Sequence, residues 1–312
     1  MSQKVLFVGD ANVDLILSGL VDKPLEDKEV YCKEIQWTLG GSSTLTCSAY
    51  AHLGGDCDFC GMVGDDENGK CVRQALINAG VGVRLFRMEP KIKTGVTVNL
   101  IQGRNRTQIT YRGNLSETDE SKVIKKEICN YSHLHLAGIY GTEKLLPKIQ
   151  NILVQAKKHG VTISLDTQWD VSETWAYLSD WLPFIDWLII NNHEAASIAQ
   201  HFGFPKEESD CIEKIWTFLK ERTTSPIIKL GKHGAYANGK FYPPCEVSQI
   251  VDTTGAGDSF AAAFIYAMKV LKCDFEGAMV FAQAGGALAC TYVGGYSSQF
   301  SVHAVKALIT SE

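Results

Sequence analysis

Short apolar runs recur along this chain with segments of helical character between them, and that alternation narrows the fold more than any other feature. The runs are Val5–Val8, Phe59–Val63, Leu134–Ala137, Thr162–Leu165, Trp187–Ile190, Ile227–Leu230 and Val247–Val251, each of strand length. Strands separated by helices pair in parallel through helical crossovers. Such sheets are covered by helices on both faces, which is why their strands read as unbroken apolar runs. The expected architecture is α/β, a doubly wound, mostly parallel sheet sandwiched by helices. Two stretches break the pattern. Val30–Leu39 and Thr94–Arg112 alternate polar with apolar residues, as antiparallel strands do, and the second carries turn residues at Gln102-Gly103-Arg104-Asn105. They predict a small separate sheet drawn from about 15–39 and 92–114, hinged over the main body as a lid.

Composition removes several classes of function. With 45% hydrophobic residues in 312, the chain can bury a large core, so neither disorder nor a disulfide-stapled scaffold is expected. Thirty basic against thirty-five acidic residues give a net charge of -5, which offers no general field for nucleic acid or an anionic membrane. Small molecules are the expected partners. No apolar stretch reaches the roughly 18 residues of a membrane span. The ten cysteines lie mostly within apolar runs, and the chain enters Lys4-Val5-Leu6-Phe7-Val8 without a leader-like pattern, so free thiols and a cytoplasmic location are expected.

The richest stretch is Val251-Asp252-Thr253-Thr254-Gly255-Ala256-Gly257-Asp258-Ser259-Phe260, which leaves an expected strand and enters an expected helix, Ala261–Leu271. Small residues at a helix start leave backbone N–H groups open, and with the positive end of the helix dipole these can hold an anion. Gly255, Ala256 and Gly257 are therefore a candidate anion hole. Asp258 at its mouth can accept a proton from an attacking hydroxyl. The spacing fits a plain N-cap equally well.

The run Asp252–Ile265 resembles the C-terminal signature of the ribokinase-like, or PfkB, carbohydrate kinase family. Other segments resemble that family in the same order: Gly9-Asp10-Ala11-Asn12-Val13-Asp14, Gly40-Gly41, Gly61-Met62-Val63-Gly64-Asp65-Asp66-Glu67-Asn68-Gly69, Asn191-Asn192-His193-Glu194 and Leu230-Gly231-Lys232-His233-Gly234. The resemblance implies one ribokinase-like domain over 1–312 and ATP-dependent phosphoryl transfer to a sugar or sugar-acid hydroxyl, with Asp258 as general base and Gly255–Gly257 as anion hole. It implies acceptor contacts from Asn12, Asp14, Gly40, Gly41 and Ser42, with Asp166 at a strand end and Arg112 as a carboxylate-binding group for acidic sugars. It implies nucleotide contacts from Asn191, Lys229, Gly231, Gly234, Ala282, Gln283 and Gly286. Mg²⁺ would be organised by Asn191 and Glu194, partly through water, and K⁺ by Asp252, Thr254, Ala289, Gly294 and Ser298. Relatives often form homodimers through the lid. The sequence departs from the family at Gly40-Gly41-Ser42-Ser43-Thr44-Leu45, where Leu45 replaces the usual sugar-binding Asn, and at Tyr292, where an Arg is common. Other readings are a nucleoside kinase of this family and a non-catalytic sugar- or nucleotide-sensing protein on the same fold.

Four signals are set aside. Gly64–Cys71 approximates a P-loop, but it ends in Cys and carries three acidic residues where phosphates would lie. Cys57-Asp58-Phe59-Cys60 has zinc-like spacing with no second ligand pair. His133 and His135 share a strand face, where ordinary packing is expected. The six-residue spacing of Trp169, Trp175, Trp181 and Trp187 suggests no function.

Overall fold

The computed structural model describes residues 3–22, 26–102 and 105–310. Its large sheet has nine strands in the order β13-β12-β11-β10-β9-β8-β1-β4-β5. These are β1 (Val5–Gly9), β4 (Cys57–Gly64), β5 (Phe86–Glu89), β8 (His133–Ala137), β9 (Thr162–Asp166), β10 (Trp187–Asn191), β11 (Pro226–Lys229), β12 (Ala235–Ala237) and β13 (Lys240–Tyr242). From β5 to β11 every pairing is parallel, and β12 and β13 close one edge as an antiparallel hairpin. The smaller sheet has the order β3-β2-β6-β7, with β2 (Asn12–Ser18), β3 (Glu34–Gly40), β6 (Gly95–Gln102) and β7 (Asn105–Tyr111).

Alternation within β1 shows why the runs are continuous. Val5 and Phe7 enter one core with Tyr50, Phe59 and Phe264, while Leu6 and Val8 enter the other with Leu134, Ile163 and Trp181. Each face of the strand thus has its own helical cover. Cys57 and Cys60 fall into different cores, so the zinc-like spacing splits across the sheet. His133 and His135 are fully buried and share the Ser164 hydroxyl, at 2.8 and 2.7 Å. In the P-loop-like segment, Asp66 caps the helix Glu67–Asn78 by accepting from Gly69 N, and its other oxygen accepts from Thr94 N. Its acidity serves the cap.

Several expectations are corrected. Val247–Val251 is not a strand: Pro243 and Pro244 remove two backbone donors just before it, and Ile250 and Val251 are exposed. Val247 and Ile250 instead line a surface slot. The helix expected at Ala261–Leu271 begins at Ala256 and ends at Tyr266, followed by a five-residue π-helical turn, Ala267–Leu271. The strand expected from Val30 begins at Glu34, where pairing with Ser18 starts. Strands β2, β5, β12 and β13 are additional. β2 escapes notice because only Asp10 and Ala11 separate it from β1. The turn expected at Gln102–Asn105 lies partly outside the described residues.

The sequence of strands reverses direction across the sheet at β1, with β4 on one side and β8 on the other. In open α/β sheets, ligands bind beyond the strand C-termini at such a switch point. All four strands of the small sheet join the body at this same edge.

Candidate active site

Strand ends supply the first set of groups. Asp10 follows β1, Asp166 ends β9, Asn191 ends β10 and Lys229 ends β11. Asp10 accepts from the backbone N–H of Ser42 and Ser43, at 3.1 and 2.8 Å, and so docks the start of helix Ser42–His52 onto the large sheet. Gly41 before that helix has φ 92°. On the other side, helix Ala256–Tyr266 begins after Gly255 at φ 74°, where an added Cβ would lie 2.4 Å from Gly295 Cα. Only glycine fits both demands. Asp258 therefore sits inside the first turn, and Gly255 rather than Asp258 takes the cap position.

The Asp258 carboxylate is buried and accepts from Ser42 Oγ at 2.5 Å. Gln168 Nε2 donates to the same hydroxyl oxygen at 3.0 Å and to Asp166 Oδ1 at 3.1 Å. Lys229 Nζ donates to the other Asp166 oxygen at 2.6 Å. Because the Gln168 amide donates to Ser42, the serine proton is left to point at Asp258. Burial first, and the Asp166 carboxylate second, push the Asp258 carboxyl up to about 7, against the pull of Ser42 and Lys229. Burial pushes Asp10 up to about 6 despite its two backbone donors. Burial works against the charge on Lys229, but Asp166 and Glu194 outweigh it and raise its pKa.

Two cavities meet here. The polar one, of about 520 Å³, is lined by Asn12, Asp14, Gly41, Ser42 and Asp258 together with Asn191, His193 and Lys229. The second, about 300 Å³ and mostly apolar, is lined by Gly234, Val247, Ile250, Phe260, Gln283 and Gly286 among others. Lys229, Gly231, Thr253 and Gly257 border both, so the N-terminus of the Asp258 helix stands at their junction. Gly40 is packed against Asp14, where a Cβ would lie 2.1 Å from Asp14 Oδ1. Asn191 and Glu194 form a reciprocal capping box, each side chain taking the other's backbone N–H at 2.9 Å. Burial, then Asp166, pushes Glu194 up to about 7. Asp252 accepts from Thr254 N and Oγ1 and from Gly294 N, tying those loops together.

Some anticipated residues lie elsewhere. Arg112 forms an exposed ion pair with Glu143 at 2.5 Å and does not border the polar cavity. Ala282 is wholly buried in the core, one helical position away from the slot-lining Gln283. Ala289 is buried and Ser298 exposed. Asp166 is fully buried behind Lys229 and Gln168. Asp10, Thr97, Gln108 and Gln168 all border the polar cavity without having been anticipated as site residues. Asp10 carries a local signal, an acid directly after the first strand. The others reach the site only through tertiary contacts.

A model of the pfkB family carbohydrate kinases matches residues 2–301. The chain belongs to the PfkB carbohydrate kinase family. Among relatives in this family, the chain is 29% identical over 290 residues to the ATP-dependent ribose-1-phosphate kinase of Halopiger xanaduensis, covering 91% of each. It is 29% identical over 301 residues to a ribokinase of Arabidopsis thaliana, covering 93% of this chain and 76% of the relative. The solved structure of Arabidopsis thaliana ribokinase complexed with ribose and ATP superposes with a TM-score of 0.83 at 24% identity, covering 99% of both chains. That likeness establishes a ribokinase-like fold. Among the described residues, no helix is long and apolar enough to cross a membrane.

Proposed function

We propose that this PfkB-family chain is an ATP-dependent kinase that transfers the γ-phosphoryl group of ATP to an acceptor hydroxyl, with Asp258 as the base.

 The acceptor is a sugar or sugar-like alcohol. The observation that carries this reading is the Ser42 hydroxyl aimed at the buried Asp258 carboxylate, 2.5 Å away, at the junction of a polar and an apolar cavity. An alcohol O–H already occupies the place where an acceptor hydroxyl would give up its proton.

The apolar slot suits a purine, with Gln283 and Gly286 along one wall and Val247 and Ile250 along the other. ATP phosphates would then extend past Gly231 and Lys229 to the helix start at Gly255–Gly257, where Ala256 N–H donates to Thr253 O at 3.3 Å and the helix N-terminus would face the charge that develops on the transferring oxygens. Asn12 and Asp14 would take acceptor hydroxyls. The small sheet would close over the acceptor and exclude water. For Mg²⁺ the fit rests on donor chemistry: Asn191 and Glu194 offer hard oxygen atoms, and a nearby cation would offset the cost of charging the buried Glu194 carboxyl. Bound there, Mg²⁺ would neutralise phosphate charge. The loops joined by Asp252 are where K⁺ would lie, and assays in KCl and NaCl test that assignment, with equal rates removing it.

Replacing Asp258 tests the base. Asp258→Asn should lower turnover about a thousandfold or more in an ADP-release assay, while calorimetry still finds ATP binding. Wild-type-like turnover would remove Asp258 from the mechanism. Absence of ADP with every acceptor, alongside sugars that raise the melting temperature, would favour the sensing protein instead.

The register of the small sheet also supports a homodimer. Leu15, Trp37, Val98 and Ile109 fall on one face, and Trp37 and Ile109 are 56% and 60% exposed. A second copy of the sheet would cover this apolar surface.

A further inference from the structure

We infer that Asp170 and Trp175 are positioning residues for the proposed reaction: they hold a strained loop, residues 168–177, that sets the Gln168 amide between Ser42 and Asp166. The inference rests on the kinase reading and adds to it the part that keeps Ser42 in register with Asp258.

The loop follows the end of β9 and concentrates backbone strain. Of the seven non-glycine residues with positive φ among the described residues, four lie between 168 and 177: Gln168 at 54°, Glu173 at 54°, Trp175 at 44° and Tyr177 at 65°. Side chains of these kinds disfavour that region, so the conformation persists only where other contacts outweigh its cost. At Gln168 the strain falls on a residue that borders the polar cavity. Its amide donates to Ser42 Oγ at 3.0 Å and to Asp166 Oδ1 at 3.1 Å. Relaxation of this φ to the ordinary negative range would turn the side chain away from both.

Two residues supply the opposing contacts. The Asp170 carboxylate is buried and accepts from Ser172 N at 2.9 Å, from Trp175 N at 2.8 Å and from the Ser172 and Thr174 hydroxyls, which closes residues 170–175 into one turn. Trp175 is 1% exposed, and its Nε1 donates to Ser197 Oγ at 2.9 Å on helix Asn192–His201. Its ring meets those of Trp169 and Tyr140 edge to face, with centroids 5.8 and 5.4 Å apart. Tyr140 in turn lies 6.1 Å from Trp181, and its hydroxyl donates to Ala176 O at 3.3 Å. Three of the four tryptophans spaced by six residues thus meet around this loop, whereas Trp187 packs on Phe264 in the other core. Burial of the indole and the donors gathered on one carboxylate together offset the strain. Asp170 does not border the polar cavity and acts on Ser42 through Gln168, two residues away.

A double-mutant cycle on ADP release tests the role. Asp170→Ala should lower kcat about threefold or more while the KM for ATP stays within about twofold, because the loss falls on the Ser42 contact rather than on nucleotide binding. In the Gln168→Leu background the same substitution should change kcat by less than about twofold, since the amide it positions is already gone. A smaller loss in Asp170→Ala, a larger shift in that KM, or a twofold or greater loss in the Gln168→Leu background overturns the inference. Amide hydrogen exchange follows the loop without any assay of activity. Asp170→Ala should speed exchange over 168–177 about tenfold more than over the central strands, and a smaller ratio also overturns it. If Asp170→Ala does not fold, Asp170→Asn, which gives up one acceptor oxygen, and Trp175→Phe, which gives up the bond to Ser197, carry the same cycle and the same thresholds. No ADP from wild type with any acceptor defeats the kinase reading and the positioning role with it, while the exchange measurement still decides whether Asp170 holds the loop.

Discussion

Burial of the Asp258 carboxyl, which raises it from 3.8 to about 7, sets both a rate and a stability dependence on pH. As the proposed base it must be ionised, so kcat/KM should fall about tenfold per pH unit below roughly 7. Asp10 and Glu194, raised to about 6 and 7, titrate alongside it, and the acid limb belongs to the group together. Stability runs the other way. Between the unfolded and folded values the native chain holds the extra proton, so this carboxyl favours folding more as the pH falls from about 7 toward 4. Wild type should therefore gain stability relative to Asp258→Asn between pH 8 and pH 5, measured by urea denaturation at each pH. Gln168 is a second residue with a specific demand: its φ of 54° is unusual for a side chain of this kind, and its amide bridges Ser42 and Asp166. Gln168→Leu should lower kcat about tenfold, roughly the loss expected for one misplaced polar contact, with the KM for ATP unchanged. Steady-state kinetics check it.

The helix Ala256–Tyr266 depends on its entry turn. In Gly255→Ala the new methyl group would meet Gly295 Cα at 2.4 Å while φ stays at 74°, so a loss of about 2 kcal/mol or more is expected, with activity lost as the two loops part. Gly257→Ala is milder, since its Cβ meets only the end of a flexible side chain, Lys229 Nζ, at 3.1 Å. It should remain within about 1 kcal/mol of wild type by denaturant unfolding. This element was legible in the sequence because its glycines, its acid and its apolar helix lie within one short stretch. The ends of β10 and β11 were legible for the same reason. Gln168 was not, since it meets Ser42 across 126 residues, and no local pattern records which strand ends a fold will bring together. Val247–Val251 misled in the opposite sense: its apolar residues line a cavity, and apolarity alone does not distinguish a sheet core from a ligand slot.

At the scale of the molecule, the outer face of the small sheet makes the strongest demand. Trp37→Asp should convert a dimer into a monomer in light scattering, since the substitution places a charge in the centre of the proposed contact. A monomeric wild type would remove the dimer. The two-sheet plan was readable from the contrast between continuous and alternating runs, but the strand order was not, because it depends on which crossovers pass which face.

The small sheet meets the body along a single row. β2 starts at Asn12, which pairs with Gly40 at the end of β3 and with Gly95 at the start of β6, and β7 ends at Tyr111 opposite Val96. All four chain crossings thus lie side by side, like the knuckles of a door hinge. For rotation about that row, displacement grows with distance from it. At about 3.3 Å of rise per residue, a turn of about 20° would shift Asp14 by only about 2 Å but the far end of β2, at Ser18, by about 7 Å. Asn12 and Asp14, the proposed acceptor contacts, sit near the pivot and would keep their spacing to Asp258, while the outer rim would sweep open. Leverage of this kind would let the protein open its door widely without dismantling the grip.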